Sequence, residues 1–315
     1  MLLEHQTLPS TASLLPAIFV TDLLPVFAIA TVGFILARHL AIDARPVARM
    51  TFHALTPALV FNVLVTSTVE GSGFVQMTAF YALVALSAGV MGWLATRALR
   101  LDRAASSAFL LVVVCSNSGN FGLPVTLLAF GRDALAFASV YFIASSVFSY
   151  TGGVLLAASG ERSVADALRG VLRVPAVYSA IAAALALAFH VTPPAAVMRP
   201  LALLSDAALP LMILVLGMQI EKATWPERPG VVAVAVALSL VATPLAAFGL
   251  AHLLGLSGPA LQAGVLQSSM PTAVITTMLT LEFGGAINFV TSAVCAATLL
   301  SPLTLTWIIA SLQKG

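Results

Sequence analysis

The sequence predicts an all-α membrane protein. It is expected to have ten transmembrane helices in an inverted five-plus-five repeat, in which helices 4 and 9 are discontinuous. Three observations lead there. Of the 315 residues, 60% are hydrophobic and 8% charged, with mean hydropathy +1.05, whereas a soluble domain carries about a quarter charged residues. Apolar runs of about 20 residues, the length of a bilayer-spanning helix, recur ten times between charged or Gly/Pro-rich joints. The fourth and ninth runs each carry a polar, proline-containing interruption near the expected bilayer centre, "SNSGNFGLPV" (116–125) and "LQSSMPTAVITT" (266–277).

The first run (17–37) follows "MLLEHQTLPSTASLLPA", which lacks the basic stretch of a cleavable signal, so the run itself is expected to direct insertion. The second (47–67) holds Pro57 and Asn62, and the third (75–97) holds the small residues "SAGVMG" (87–92), suited to close helix packing. The fourth (104–130) contains the first break, and the fifth (133–158) carries Tyr141, Ser145 and Ser146. The hydrophilic connection "ASGERSVADALRGVLR" (158–173) then divides the chain into a first repeat (1–159), a cytoplasmic linker (160–172) and a second repeat (173–315). The sixth run (173–190) is followed by the seventh (197–219), with Asp206, Pro210 and Gln219. The eighth (231–254), the ninth (259–282) with the second break, and the tenth (286–311) complete the chain. Five is odd, so the halves insert with opposite orientation, a plan that recurs in proteins with broken helices at the bilayer midplane.

Charge sets the orientation. Eleven of the 14 Lys and Arg fall after runs one, three, five and seven (Arg38, Arg45, Arg49; Arg97, Arg100, Arg103; Arg162, Arg169, Arg173; Lys222, Arg228), against Arg132, Arg199 and Lys314 on the other side. Positive loops mark the cytoplasm. Both termini are therefore expected outside it, in a multi-pass membrane protein, with Trp93 and Trp225 at the inner interface and Trp307 near the outer one. The net charge of +2 points to no nucleic-acid partner. Cys115 and Cys295 lie in apolar runs, and the five histidines lack ligand spacing, so neither metal nor cofactor is expected.

Proline removes a backbone donor and clashes with the preceding turn, so Asn117 to Pro124 should interrupt the fourth helix and Pro271 the ninth. In hydrocarbon the freed N–H and C=O groups need partners, which Ser116, Asn117, Ser118 and Asn120 are expected to supply. Gln267, Ser268, Ser269 and Thr272 accompany Pro271. If the two helices cross at their breaks, two half-helix N-termini converge with partial positive charge and unpaired N–H groups. That makes an anion site without a lysine or arginine deep in any run.

The residues around these breaks are similar to the auxin efflux carrier family, which includes the plant PIN proteins and bacterial malate and malonate permeases. The likeness spans nearly the whole chain through "LTPALVFN" (55–62), "NSGNFGLP" (117–124), "ALPLMILVLGMQI" (208–220) and "QSSMP" (267–271) continuing to Glu282. Asn117, Gly122 and Pro124 resemble the Asn and Gly-x-Pro of the family's first crossing helix, and Gln267 and Pro271 the Gln and Pro of its second. The resemblance implies a dimerising scaffold of helices 1, 2, 6 and 7 and a transport domain of helices 3–5 and 8–10, moving substrate by elevator-type alternating access. Plant carriers have a second proline where this chain has Ile275-Thr276, a Lys-Glu pair where it has Leu281-Glu282, and a long central loop where it has a short linker. A bacterial organic-acid permease fits better than an auxin carrier.

The expected function is secondary transport of small organic anions by a homodimer in lipid. Asn117, Asn120, Gly122, Pro124, Gln267, Ser268, Ser269, Pro271, Thr272 and Asn62 are the expected substrate-binding set, with Asp206 for possible proton or cation coupling. Asp206 is equally a helix-end carboxylate reached by water, and Asn62 fits either a site-lining amide or a bond to a neighbouring helix. Ser145 and Ser146 suit a cavity wall but, more often, bonds back to their own helix, and Gln219 and Glu282 fit interfacial solvation. A sodium-coupled symporter of the bile-acid carrier type is the alternative, distinguished by whether uptake needs a sodium gradient. No enzyme is expected: no nucleophile, base or metal constellation is visible, and "SNSGNFG" lacks the lysine of a phosphate loop. A sodium–proton antiporter would want paired mid-membrane carboxylates, where only Asp206 and Asp22 come near.

Overall fold

A computed structural model describes residues 11–67, 69–153, 156, 174–221, 228–282 and 286–313. The linker 160–172 and Trp225 lie outside them. The described chain is helical throughout: α1 (Leu15–Leu40), α2 (Ala44–Val65), α3 (Gly71–Ala98), α4 (Arg103–Val114), α5 (Ser118–Gly153), α6 (Pro175–Ala188), α7 (Ala195–Ile220), α8 (Pro229–Leu253), α9 (Gly258–Ser268), α10 (Ile275–Glu282) and α11 (Ile287–Leu312). Of these, α1, α2, α3, α5, α7, α8 and α11 are long and apolar enough to cross a membrane, 7 in all among the described residues. The difference from ten continuous runs has local causes. The fourth run divides between α4 and the start of α5, the ninth divides into α9 and α10, and the sixth forms the 14-residue α6.

Four helices widen into a π turn just before a proline: Phe19–Leu23 before Pro25, Thr51–Leu55 before Pro57, Ser118–Gly122 before Pro124, and Leu238–Ala242 before Pro244. A proline ring cannot donate and collides with the carbonyl four residues back, and the wider turn removes both conflicts without ending the helix. Gly131 is the joint between the fourth and fifth runs. Its φ of 79° and ψ of −166° are open to glycine and strained for other residues, and they bend α5 there. Two carboxylates start helices as caps. Asp43 accepts the Arg45 backbone N–H at 3.1 Å before α2, and Asp102 accepts that of Ala105 at 2.8 Å before α4.

Helices in a bilayer associate by close packing rather than by the hydrophobic effect. The α1–α7 pair shows the closest approach. A Cβ on Gly33 would lie 2.1 Å from the Leu214 carbonyl oxygen, and one on Gly217 would lie 1.7 Å from that of Ala30. Arg38 and Glu221 join the same pair at one end, 3.2 Å apart. The α2 helix packs against α6 and α7, and α9 against α5 and α8. Buried hydroxyls mostly bond back into their own helix, as Ser139 does to Leu135 and Thr298 to Val294, which satisfies them where water is absent. Phe80, Phe109, Phe121, Tyr141 and Met212 are among the largest wholly enclosed side chains.

Candidate functional site

The two broken runs meet. Between the end of α4 and the start of α5, Ser116 pairs antiparallel with Thr272, which lies between α9 and α10. The Asn117 N–H donates to the Pro271 carbonyl at 2.7 Å, and the Ala273 N–H donates to that of Cys115 at 2.8 Å. The Thr272 hydroxyl adds a bond to the Val112 carbonyl at 2.9 Å. Each break therefore supplies backbone partners to the other, a task the sequence reading assigned to nearby side chains. Those side chains are thereby released for other contacts.

A cavity of about 810 Å³ opens beside this pairing. The first turns of both α5 and α10 line it, through Ser118, Gly119 and Asn120 on one side and Ile275 and Met278 on the other, together with Ser116 and Asn117. The far part of α5 adds Ser145, Ser146, Ser149 and Tyr150; α2 adds Arg45, Arg49, His53 and Thr56; and α7 adds Met212 and Gln219. No acidic residue is among the described lining. Asn117 is 5% exposed, and its Nδ2 is buried without a hydrogen-bond partner, as are Ser116 Oγ and Gln219 Oε1. Buried polar atoms are ordinarily paired, and these stand among the lining of one cavity. Ser118 and Ser145 satisfy each other, Oγ to Oγ at 2.6 Å.

The residues expected from sequence divide into groups. Asn117 and Asn120 line the cavity. Gln267 is fully buried behind the crossover, its Nε2 donating to Thr126 Oγ1 at 3.4 Å and its Oε1 unpartnered, and a Cβ on Gly122 would lie 2.2 Å from that oxygen. Ser268 and Ser269 donate to the carbonyls of Gly264 and Val265 in their own helix, while Pro271 and Thr272 serve the crossover backbone. Three others stand apart. Asn62 donates to Ser205 Oγ at 3.3 Å, bonding α2 to α7 and lining neither cavity. Pro124 and Asp206 line a second cavity, of about 260 Å³, together with Arg132, and Asp206 is solvent-exposed.

Sequence reasoning gave Gln219 to interfacial solvation and Arg49 to topology, and did not single out His53. Arg45, Arg49, His53 and Thr56 recur at helical spacing on one face of α2, a signal present in the sequence but read there only as topology. Gln219 sits where a helix end meets polar surroundings, and only its buried, unpartnered oxygen distinguishes it.

A model of the family described as membrane transport protein matches residues 18–167 and again 162–309. The chain belongs to that family. It is the family of the auxin efflux carriers. A protein of Methanothermobacter thermautotrophicus described as an uncharacterized transporter is 24% identical over 266 residues, which cover 84% of this chain and 87% of that one. For a membrane transport protein the geometry has a plain physical sense: unwound backbone at membrane depth is tolerated only when enclosed by protein or beside a water-filled cavity. Here it is both.

Proposed function

We propose that this membrane transport protein is a secondary transporter of small organic anions, carboxylates such as malate, malonate or auxin-like acids, with the crossover as its binding site. The observation that carries the reading is the buried, unpartnered Nδ2 of Asn117 on the cavity wall, between the first turns of α5 and α10. A carboxylate there accepts from the amide and from the helix-start N–H groups, each terminus adding about 0.3–1 kcal/mol of favourable potential. Neutral donors hold an anion weakly enough to release it, as a carrier requires.

In this reading the chain crosses the bilayer ten times as an inverted repeat, with α4 and the start of α5 forming one crossing and α9 with α10 another. Helices α1, α2, α6 and α7 form a dimerising scaffold, and the remaining helices form a body that carries the crossover past it by elevator-type alternating access. Close packing of α1 on α7 and of α2 on α6 supports the division. Both termini lie outside the cytoplasm of a bacterial inner membrane, which makes the larger cavity inward-facing, since Arg45 and Arg49 line it. The test is counterflow of labelled malate, malonate and indole-3-acetate in proteoliposomes, with and without sodium and pH gradients. Saturable exchange of one acid, cut about ten- to hundredfold by Asn117→Ala in a folded protein, is the expected result. Exchange untouched by that substitution removes the crossover as the site.

A further inference from the structure

The cavity has a second pole. Its α2 wall presents Arg45, Arg49, His53 and Thr56 in succession, cationic at one end and neutral toward the crossover. Arg45 is held by Asp43 at 3.0 Å, and among the described residues no ion pair involves Arg49. Arg49 is solvent-exposed. It precedes Thr56 by seven positions of helix, about 10 Å along the axis. The described lining holds no acidic side chain, and of its two arginines Arg49 is the one with no acid paired to it among the described residues.

Resting on the transport reading of the same cavity, we propose that Arg49, with His53 one turn further along α2, is a capture site for the carboxylate substrate, distinct from the donors at the crossover. A cleft lined by one sign of charge concentrates counter-ions and accelerates their entry. Arg49 is suited to that task because it is exposed and has no acid paired to it among the described residues. The separation also solves a carrier's problem. A guanidinium at the crossover would hold a carboxylate through bidentate bonds and slow its release, whereas one at the mouth raises the local concentration and leaves the deep site neutral. On α2, Arg49 belongs to the proposed scaffold, so it stays behind when the crossover moves.

The same chemistry would also attract an anionic lipid headgroup, and the experiment separates the two. Counterflow of malate, malonate and indole-3-acetate is measured in neutral phosphatidylcholine vesicles, and again with phosphatidylglycerol added, at about 20 mM and about 300 mM salt. In neutral vesicles at low salt, Arg49→Gln should raise the half-saturation concentration about five- to tenfold without lowering the maximal rate. High salt should weaken the wild type toward the variant, and Arg49→Lys should keep most of the wild-type behaviour. Arg97→Gln, a cation placed over Trp93 outside the cavity, should change nothing. If Arg49→Gln does not incorporate, His53→Gln together with Arg49→Lys reads the same site: a rise in half-saturation with the first and little change with the second is expected, and wild-type behaviour of both overturns the proposal. Wild-type half-saturation in Arg49→Gln also overturns it, as does a defect confined to vesicles containing phosphatidylglycerol, which would make the ligand a lipid. Exchange of none of the three acids by the wild type removes the transport reading and the capture site together; normal wild-type exchange with an unaffected Arg49→Gln removes only the capture site.

Discussion

Gly122 and Gln267 meet where the two broken helices press closest, and the contact leaves no room for a methyl group. A Cβ on Gly122 would stand 2.2 Å from Gln267 Oε1 and 2.9 Å from its Cδ, and Gln267 is fully enclosed. Gly122→Ala is therefore expected to destabilise the protein by about 1–3 kcal/mol, the usual cost of overpacking, seen as a lower midpoint of thermal unfolding in detergent. Adding Gln267→Ser should restore much of it by shortening the obstructing side chain. Asn117 behaves in the opposite way. Its backbone N–H, not its side chain, makes the bond to Pro271, and its Nδ2 has no partner to lose. Asn117→Ala should leave the unfolding midpoint nearly unchanged while exchange falls, and Asn117→Asp should fall further, because a carboxylate there repels the anion and cannot donate to it. A midpoint that drops with Asn117→Ala would show the amide to be a structural brace rather than a ligand group.

At the scale of elements, α1 and α7 are locked by backbone contact, and the two glycines that permit it are on opposite helices. The atom nearest a Cβ on Gly217 is the Ala30 carbonyl oxygen at 1.7 Å, and backbone cannot swing aside as a flexible side chain does. Gly217→Ala should force the helices apart and lower the unfolding midpoint more than Gly122→Ala does, with the Arg38–Glu221 contact at the end of the pair strained too. An unchanged midpoint would mean that the two helices separate at no cost. Much at this scale was legible in the sequence. Apolar runs gave the helices, and the prolines at 57, 124 and 271 marked where they deform, because a missing N–H acts locally. What joins one break to the other was not legible: the pairing of Ser116 with Thr272 is a backbone contact across 156 residues of chain and leaves no side-chain signature. The side chains around it have partners that the sequence did not show. Once the backbone satisfies itself, Ser268 and Ser269 turn to their own helix, Gln267 packs behind the crossover, and Asn62 bonds Ser205. Arg49 was hidden differently, since one arginine can both fix topology and line a cavity.

Across the whole molecule, three helices line both cavities. On α2 the larger cavity takes residues up to Thr56 and the smaller takes Leu59 and Val63; on α7 the smaller takes Ser205 to Ile213 and the larger takes Met212 and Gln219; and α5 runs from Ser118 in the larger to Arg132 in the smaller. In sequence, Phe121 and Leu123 on α5 and Leu216 on α7 fall between residues of the two cavities, of about 810 Å³ and 260 Å³, and are enclosed; in the transport reading they are the apolar plug between two openings. A carrier must exchange which opening is large, and this arrangement permits it if the body bearing α5 slides along α2 and α7 while the plug stays intact. The prediction concerns access. In a background with Cys115 and Cys295 replaced by alanine, Ser146→Cys reports the larger cavity and Leu128→Cys the smaller. In the resting protein, a membrane-impermeant thiol reagent should modify Ser146→Cys from the Arg49 side and leave Leu128→Cys slow from the other. Under saturating counterflow of the transported acid the proposed alternating access requires the first rate to fall and the second to rise. A pore predicts both sites reactive at once, from either side, with no reciprocal change. That outcome would leave the crossover as a lining of a channel and end the elevator mechanism, because a plug that never closes cannot couple one opening to the other.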